Sequence, residues 1–383
     1  MHIIHITQCL GGVEVYICNA VNACAAEDNS TSFTIFAPKD FRCNLKSRNV
    51  NFIHWEPKRS INPFSDISFL LKLIRHLKKL PEDSIVHCHS AKAGVLGRIA
   101  GKIAGFRTLY TPHAFSFLSA EHKFLRSIYK FIERRMVPFT DLIVATSESE
   151  RKRAIKNVKI SPEKVITWTN SIFRPEKSAS ESSFSNKNYI CTVARPCYQK
   201  NLDMLVRVMA IIVKSTEIKC IILGAGHYSP QKDHLVKLIK NYNLDDKIEL
   251  IEWLDRKDAL QVIAGSKLYV SSSRYEGLPL SVVEAMGLGK ACIVTDVDGN
   301  RDCVENGKTG AVVPVNNDAF MAERIVNLLT DESERKKLEK AALERFNTFF
   351  NLEITGTNLF EVYKKIKTDM FSSSEGSNNV YKN

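Results

Sequence analysis

The sequence predicts an α/β fold with two domains, each a doubly wound parallel sheet, and three observations point to it. At 383 residues the chain exceeds what one hydrophobic core usually holds. Short apolar segments of strand length alternate with segments of helical spacing in both halves. Between the halves, residues 171–188 are polar and serine-rich, without a hydrophobic period. We therefore expect a first domain over 1–175, a linker over 176–188 and a second domain over 189–350.

The composition is that of a globular protein. Apolar residues make up 44% and charged residues 25%, which are ordinary values. No run reaches the ~18 consecutive apolar residues of a membrane span, and the start of the chain lacks the basic and long apolar stretches of a signal peptide. The ten cysteines are scattered without C-x2-C spacing, so we assign them no chemistry. These features predict a cytoplasmic protein.

Basic charge is concentrated in the first half. Residues 1–175 hold 26 Lys and Arg against 14 Asp and Glu, so the whole formal net charge of +12 lies there. Such asymmetry indicates a polyanion or an anionic membrane as partner. Because no basic strip with interleaved stacking aromatics accompanies it, nucleic acid is not expected. A peripheral position on the inner face of the cytoplasmic membrane is one expectation.

The first half alternates strand-like and helical segments, which predicts a parallel sheet. The strand-like segments are 2–7, 33–37, 50–55, 84–89, 108–111, 141–146 and 164–169. The first of them leads into Gly11 and Gly12. A glycine pair at such a turn lets a ligand approach the backbone closely, although a first β-α turn often contains glycine for geometry alone.

Two further features of this half have alternative explanations. His87 and His89 could ligate a metal, but no third ligand stands near them in the sequence, which favours a structural role. The segment from Phe117 to Val137 has a helical period with two faces. Its apolar face holds Phe124, Leu125, Ile128, Tyr129, Ile132 and Met136, and its basic face holds Lys123, Arg126, Lys130 and Arg134. It could lie on anionic lipid or pack on its own sheet with a solvated basic face.

The second half repeats the alternation. Its strand-like segments are 189–194, 218–223, 248–253 and 268–271, and its helical ones include 202–213, 319–329 and 334–346. Arg195 and Lys200 follow the first strand, where they could be solvated surface or could bind a diphosphate, for which a guanidinium fork and a point charge are suited. Gly224 and Gly226 follow the second strand but lack the third glycine of a dinucleotide fingerprint.

The most informative stretch runs from Ser271 to Lys290 and reads S-S-S-R-Y-E-G-L-P-L-S-V-V-E-A-M-G-L-G-K. It places Glu276 in a turn after a strand and Glu284 on the next helix. Such a strand–turn–helix presents backbone N–H groups and a positive dipole end to an anionic ligand. The S-x-x-E at Ser281 is also a capping box, which needs no ligand. Capping explains Glu284 but leaves Glu276 unexplained.

The pattern E-G-L-P-x-S-x-x-E-A-M resembles the E-x7-E signature of the retaining glycosyltransferases of family 4. The resemblance continues in R-x4-K-N at Arg195, in G-K-A-C-I-V-T-D at Gly289 and in E-N-G-K-T-G at Glu305. It implies the GT-B fold, with two Rossmann-like domains facing a cleft, a helix over 351–371 that crosses back to the first domain, and a frayed tail over 372–383. It also implies that the first domain binds the acceptor and the second binds the nucleotide-sugar donor.

The resemblance assigns roles to individual residues. Glu284 would hold the ribose, Glu276 the sugar hydroxyls or the oxocarbenium-like state, and His113 would reach the donor sugar. The expected catalytic residues are Glu276, His113, Arg195 and Lys200. The expected donor-binding residues are Gly11, Gly12, Arg195, Lys200, Gly224, Gly226, Glu276, Gly277, Leu278, Pro279 and Glu284.

The expected activity is transfer of a sugar from a nucleotide diphosphate donor to an acceptor hydroxyl with retention. The sequence has no D-x-D motif, so we expect no metal and no cofactor; Arg195 and Lys200 would offset the diphosphate charge. Polysaccharide or O-antigen assembly on a polyprenyl-diphosphate carrier fits the basic first domain. A sugar phosphorylase or epimerase-like relative would need a pyridoxal lysine or a phosphate site, and neither is found. A non-catalytic nucleotide-sugar sensor or scaffold is the alternative from another class.

Overall fold

The computed structural model describes residues 1–9, 11–42, 45, 47–56, 62–176, 188–226 and 229–372, with the backbone only for 369–372. It divides into two compact units. Unit 1 comprises Met1–Ser171 and Leu352–Asn383, and unit 2 comprises Ile172–Asn351. Most of the predicted linker, residues 177–187, and the predicted tail beyond residue 372 lie outside the described residues.

Unit 1 is built on a parallel sheet of seven strands. These are β1 (His2–Ile6), β2 (Ser32–Ala37), β3 (Val50–His54), β4 (Ile85–His89), β5 (Arg107–Thr111), β6 (Leu142–Ala145) and β7 (Val165–Thr167). Their order in the sheet is β3-β2-β1-β4-β5-β6-β7. The order reverses between β1 and β4, which is the arrangement of a doubly wound sheet.

Helices cover both faces of this sheet. They are α1 (Gly12–Glu27), α2 (Pro63–Leu77), α3 (Ala91–Ile103), α4 (Lys123–Arg135) and α5 (Glu148–Arg153). Successive strand residues point to opposite faces, so Ile3 packs with Ile17 of α1 while Ile4 packs with Leu73 of α2 and Leu96 of α3. Burial on both faces explains why the strands are apolar throughout.

Unit 2 repeats the plan with six parallel strands. These are β8 (Tyr189–Val193), β9 (Lys219–Leu223), β10 (Ile248–Ile251), β11 (Tyr269–Ser271), β12 (Cys292–Thr295) and β13 (Gly310–Val313), in the order β10-β9-β8-β11-β12-β13. Its helices are α6 (Leu202–Ile212), α7 (Lys232–Asn241), α8 (Arg256–Gly265), α9 (Leu280–Gly287), α10 (Asp298–Cys303), α11 (Asp318–Thr330) and α12 (Glu332–Phe349). The order reverses between β8 and β11. Two doubly wound α/β domains are therefore confirmed.

The last helix, α13 (Leu352–Ser372), follows unit 2 in sequence but belongs to unit 1. It packs against α1, and its side chains Leu359, Phe360 and Tyr363 are buried in the same core as Ile17. Within the described part of the chain, no helix combines the length and the apolar character that crossing a membrane requires.

Helix α4 differs from its prediction in both extent and packing. It begins at Lys123, and Phe117 lies before it in a short 3₁₀ turn, buried and stacked on Phe115. Glu133 is its buried residue. Phe124 of the predicted apolar face is 79% exposed, whereas Tyr129 packs against the core of the unit and Met136 is 5% exposed. The predicted apolar face is therefore divided between solvent and the unit's own core.

Candidate active site

The two predicted residues Lys200 and Glu276 meet at the switch point of unit 2. Lys200 lies in the loop after β8, and Glu276 lies in the loop after β11. Loops that leave two strands at a reversal of strand order diverge and open a crevice at the carboxyl edge of the sheet. The Nζ atom of Lys200 lies 2.6 Å from Oε1 of Glu276. The fold thus joins residues 76 positions apart in the chain.

The Glu276 carboxylate is held by two further donors. The Ser273 hydroxyl donates to Oε1 at 2.7 Å, and the Gln199 amide donates to Oε2 at 3.0 Å. The residue is 5% exposed, and three donors fix its orientation. Sequence reasoning missed Gln199 and Ser273. Their only signal is position, since Gln199 precedes Lys200 in the R-x4-K-N match and Ser273 ends the serine run.

Hydrogen bonds between the two loops hold this arrangement in place. The Arg274 amide donates to the Gln199 carbonyl at 2.7 Å, and the Arg274 guanidinium donates to the Tyr198 carbonyl at 2.6 Å. The Ser272 hydroxyl donates to the Lys200 carbonyl at 2.9 Å. Because these bonds join backbone to backbone and side chain to backbone, Lys200 and Glu276 are positioned before any ligand binds.

Arg195 begins the same loop as Lys200 and is exposed. It makes no ion pair with the residues that the structure describes. Its charge acts on Tyr275, the neighbour of Glu276: burial raises the pKa of the Tyr275 phenol to about 12, and Arg195 acts in the opposite sense. Arg195 therefore lies in a loop at the same edge of the sheet as Lys200.

Two of the glycines predicted to line the donor site, Gly224 and Gly226, lie where the backbone itself favours glycine. Gly224 has φ +110°, and a Cβ on Gly226 would lie 3.0 Å from the Glu252 carbonyl oxygen. Gly299 packs directly against Gly277. A Cβ added to Gly299 would lie 2.4 Å from the carbonyl oxygen of Gly277. These contacts give a structural reason for glycine at Gly224, Gly226 and Gly299. The predicted ligand contacts of Gly224, Gly226 and Gly277 stay predictions.

The helix that carries Glu284 begins earlier than the capping box requires. Helix α9 starts at Leu280 after Pro279, which makes no side-chain cap, so Ser281 lies inside the helix. The capping-box explanation of Glu284 is therefore wrong. Gly277, Leu278 and Pro279 form the buried turn that leads from Glu276 into this helix.

Glu284 is half-buried, with 16% of its side chain exposed, and pairs with a residue that sequence reasoning missed. Its Oε1 lies 2.9 Å from Nη2 of Arg256, at the start of α8. Burial raises the pKa of the Glu284 carboxyl, and the Arg256 guanidinium partly opposes the rise. One carboxylate oxygen is engaged in this pair.

The acidic residues after β12 are bound to a neighbouring arginine. Asp296 and Asp298 accept from the two terminal nitrogens of Arg301 at 2.6 and 2.7 Å. Asp298 also begins α10. Both carboxylates are thus engaged in local ion pairs.

In unit 1, the predicted glycine turn is occupied by a carboxylate of its own helix. Gly11 has φ +74°, and its amide donates to Oε2 of Glu14 at 3.2 Å. The other oxygen of Glu14 accepts from the Arg42 amide, and burial raises the Glu14 pKa. Gly12 opens α1. A phosphate could use the Gly11 amide only if Glu14 moved.

His113 sits in a strained turn after β5. His113 has φ +53° and Ala114 has φ +77°, a conformation that costs non-glycine residues about 1–3 kcal/mol each. Glu150 holds the turn, because its buried carboxylate accepts from the Ala114 amide at 2.8 Å and from the Thr146 amide at 2.7 Å. Strain that the surroundings maintain in this way is typical of functional sites.

A third histidine lies beside His87 and His89. His5 of β1 is paired in register with His87 of β4, and ring nitrogens of all three residues lie within 4.8 Å of one another. No third ligand stands near His87 and His89 in the sequence, but the fold brings His5 beside them. The rings are hydrogen-bonded: His5 Nδ1 to His89 Nε2 at 2.9 Å, His89 Nδ1 to His113 Nε2 at 3.1 Å, and His87 to Tyr363 and Thr111.

Two curated glycosyltransferases are similar to this chain over 81% and 62% of its length. A UDP-Gal:alpha-D-GlcNAc-diphosphoundecaprenol alpha-1,3-galactosyltransferase of Escherichia coli is 28% identical over 81% of this chain and 80% of its own length. An N-acetylgalactosamine-N,N'-diacetylbacillosaminyl-diphospho-undecaprenol 4-alpha-N-acetylgalactosaminyltransferase of Campylobacter jejuni is 27% identical over 62% of this chain and 64% of its own.

Solved structures share the fold at low sequence identity. A sucrose-phosphate synthase of Thermosynechococcus elongatus matches with a TM-score of 0.81 at 19% identity, over 96% of this chain and 100% of that one. The Anabaena protein HepE, solved with UDP and glucose, matches with a TM-score of 0.79 at 18% identity, over 95% and 100%. These likenesses establish the fold, and the predicted GT-B class is confirmed.

Two family profiles together span nearly all of the sequence. The profile described as Glycosyltransferase Family 4 matches residues 10–172, which lie in unit 1. The profile described as Glycosyl transferases group 1 matches residues 173–345, which lie in unit 2 and include Lys200, Glu276 and Glu284. The chain is a glycosyltransferase and belongs to family 4.

Proposed function

We propose that the chain transfers a sugar from a nucleotide diphosphate donor to a hydroxyl of a polyprenyl-diphosphate-linked glycan, with retention at the anomeric carbon and without a metal ion. The observation that carries this proposal is the Lys200–Glu276 pair at the switch point of unit 2, with Arg195 on the same loop. The names of the Escherichia coli and Campylobacter relatives, both of which include an undecaprenyl diphosphate, support a lipid-linked acceptor.

The chemistry asked of unit 2 is stabilisation of the leaving group. When the sugar departs, negative charge grows on the diphosphate, and fixed cations there lower the barrier most. Arg195 provides a bidentate fork and Lys200 a point charge. Glu276, oriented by Gln199 and Ser273, faces the sugar, while Glu284 holds the ribose through the oxygen that Arg256 leaves free.

The proposal includes docking on an anionic membrane through α4. Its exposed side chains Phe124, Ile128 and Phe131 recur at helical spacing, and Lys123 stands exposed beside them. Exposed aromatic groups next to basic ones suit the interface of an anionic bilayer. The excess of positive charge in residues 1–175 agrees with that partner. A lipid-linked acceptor would then meet an enzyme held at the same surface.

The deciding experiment is turnover with defined substrates. A panel of UDP-, GDP- and dTDP-sugars is tested first for thermal stabilisation, and then for transfer to a synthetic polyprenyl-diphosphate sugar, with the anomeric configuration of the product read by NMR. We expect one donor to stabilise the protein and to yield a retained linkage, with equal rates in EDTA. Inversion would contradict the proposed stereochemistry. Activity that EDTA abolishes and magnesium restores would contradict metal independence. Tight donor binding without transfer to any acceptor would favour the alternative that the protein is a non-catalytic nucleotide-sugar sensor or scaffold.

A further inference from the structure

Three histidines of unit 1 form a continuous hydrogen-bonded chain from the core to the surface. His5 and His89 are fully buried, whereas His113 is partly exposed. His5 Nδ1 bonds His89 Nε2, and His89 Nδ1 bonds His113 Nε2. Among the described residues, the remaining nitrogen of His113, Nδ1, makes no hydrogen bond. The chain therefore ends at a nitrogen that can meet a ligand.

Each of these rings is neutral near pH 7. Burial lowers the pKa of His5 and of His113 to about 3 and holds that of His89 well below 6.5. A neutral imidazole has one N–H and one lone pair. The two bonds consequently allow only two arrangements, one with every proton directed toward His113 and one with every proton directed toward His5.

The buried end of the chain decides between the two arrangements. His5 Nε2 is buried and has no hydrogen-bond partner among the described residues. If the protons pointed toward His5, an N–H group would be left there without an acceptor, and orphaned buried N–H groups are rarer than orphaned acceptors. With the protons directed toward His113, His5 Nε2 is only an unused lone pair. His113 then carries its proton on Nδ1.

A metal ion does not explain this cluster. Two nitrogens on one tetrahedral zinc ion lie about 3.3 Å apart, whereas His5 and His89 are at hydrogen-bond distance, 2.9 Å. His87 has no lone pair to give: the Thr111 hydroxyl donates to the Val144 carbonyl and so accepts from His87 Nε2, which leaves His87 Nδ1 to accept from Tyr363.

We infer that His5 and His89 are positioning residues that fix His113 as its Nδ1–H tautomer, so that its open nitrogen donates a hydrogen bond to a sugar hydroxyl oxygen. The inference rests on the proposed function only for the identity of that ligand. A neutral donor fixed in this way selects an oxygen that accepts, and it holds no charge to attract the diphosphate. It therefore contributes to the choice of sugar and not to leaving-group stabilisation.

The test pairs two substitutions at His89. Asn places an amide N–H near the position of the imidazole Nδ1 and keeps the donor to His113, whereas Leu removes it. Two-bond ¹H–¹⁵N spectra of histidine-labelled protein identify the tautomer, with His113→Gln assigning the signal. We expect Nδ1–H in the wild type and in His89→Asn, and a mixture in His89→Leu. The KM for the donor should rise about tenfold in His89→Leu and recover in His89→Asn, with little change in kcat.

Three outcomes would overturn the inference: an Nε2–H signal for His113 in the wild type, equal KM losses in the two variants at unchanged melting temperature, or one equivalent of bound zinc per chain. If His89→Leu does not fold, the pair His5→Asn and His5→Phe applies the same test one ring further from the surface. An Nδ1–H signal in a protein that transfers no sugar would support the tautomer and refute the proposed function, which keeps the two failures distinct.

Discussion

Arg195 and Lys200 lie on one loop but differ in their exposure and in their contacts. Arg195 is exposed, whereas Lys200 bonds the buried Glu276. We expect Arg195→Ala and Lys200→Ala each to lower turnover about a hundredfold, since losing one preorganised donor costs about 3 kcal/mol of transition-state stabilisation. Only Lys200→Ala should also lower the melting temperature, because it leaves a buried carboxylate without its cation. Initial rates and thermal melts measure both effects.

A matched control for these variants is Lys214→Ala, at an exposed position just after α6, which should change neither quantity. Near-normal turnover in both the Arg195 and the Lys200 variant would show that the leaving-group charge is offset elsewhere.

Glu284→Gln should chiefly weaken nucleotide binding, since the carboxylate is proposed to hold the ribose. It should also change how stability depends on pH. Burial raises the folded-state pKa of Glu284 above its usual 4.5, so the folded protein binds this proton more tightly, and the group's contribution to stability falls as pH rises from about 4.5 through the raised value. The variant lacks this loss. Its melting temperature relative to the wild type should rise over that range.

Isothermal titration with the nucleoside diphosphate and melts from pH 4.5 to 8 test both statements. Glu323→Gln, at an exposed position on α11, should keep the affinity for nucleotide. If Glu284→Gln binds nucleotide as tightly as the wild type does, the role of Glu284 is limited to its ion pair with Arg256.

Motif spacing indicated which side chains carry chemistry better than it indicated what holds them. Lys200 and Glu276 could be singled out from the sequence, but their bond depends on β8 and β11 being neighbours. Gln199 and Ser273 are small polar residues in loops, which have no period to reveal them. His5 reaches His87 only through strand register. The capping-box explanation of Glu284 was wrong because S-x-x-E is a short pattern that often occurs by chance. The helix starts directly after Pro279, which places Ser281 inside its first turn.

At the scale of elements, α4 is anchored by a buried ion pair as well as by Tyr129, which packs against the core of unit 1. Arg98 of α3 is 1% exposed, donates to Glu133 at 3.0 Å and lies over the Tyr110 ring, whose hydroxyl also donates to Glu133. Glu133→Ala should destabilise the protein by about 3–5 kcal/mol, because it leaves the buried Arg98 charge uncompensated. Glu121→Ala, at an exposed position before α4, is the control in chemical denaturation. A loss below 1 kcal/mol would mean that other contacts hold α4.

The exposed face of α4 predicts selective binding to anionic vesicles. Lys123→Gln with Lys130→Gln avoids Arg126 and Arg134, whose guanidinium groups hold backbone carbonyls. At about 1 kcal/mol for each charge near an anionic surface, the pair should lower partitioning roughly thirtyfold. Flotation with phosphatidylglycerol vesicles measures it.

Phe124→Ser should weaken vesicle binding as well, whereas Phe64→Ser on α2, where Phe64 is 89% exposed, should not. Equal binding of the wild type to neutral and anionic vesicles would refute the membrane proposal.

Periodicity located most strands of both sheets within a residue or two but located helix starts less well. The predicted 117–137 helix merges α4 with the 3₁₀ turn that buries Phe117, since both segments are apolar at similar spacing. Which face of α4 is covered could not be read from the pattern. The deciding contact, Arg98 with Glu133, is between two charged residues that look like solvated surface in the sequence.

At the scale of the whole molecule, the two units differ in continuity. Unit 2 is one uninterrupted segment, whereas unit 1 needs α13. We expect residues 172–351 alone to unfold cooperatively, because unit 2 is one uninterrupted segment. Residues 1–351 should lose the unfolding transition of unit 1, because the core around Ile17 would lack Leu359, Phe360 and Tyr363. Calorimetry of the two fragments and the full chain tests this. A 1–351 fragment with both transitions intact would show that α13 is dispensable.

This discontinuity reverses the usual order of events on the ribosome, where domains tend to fold from the N-terminus onward. The seven strands of unit 1 emerge first, but the helix that completes their core emerges only after the 180 residues of unit 2. At 5–20 residues per second that delay lasts roughly 10–40 s. During that interval unit 2 can reach its final state, while the sheet surface that α13 will cover stays open to chaperones and proteases. The half that emerges first from the ribosome is the last to close.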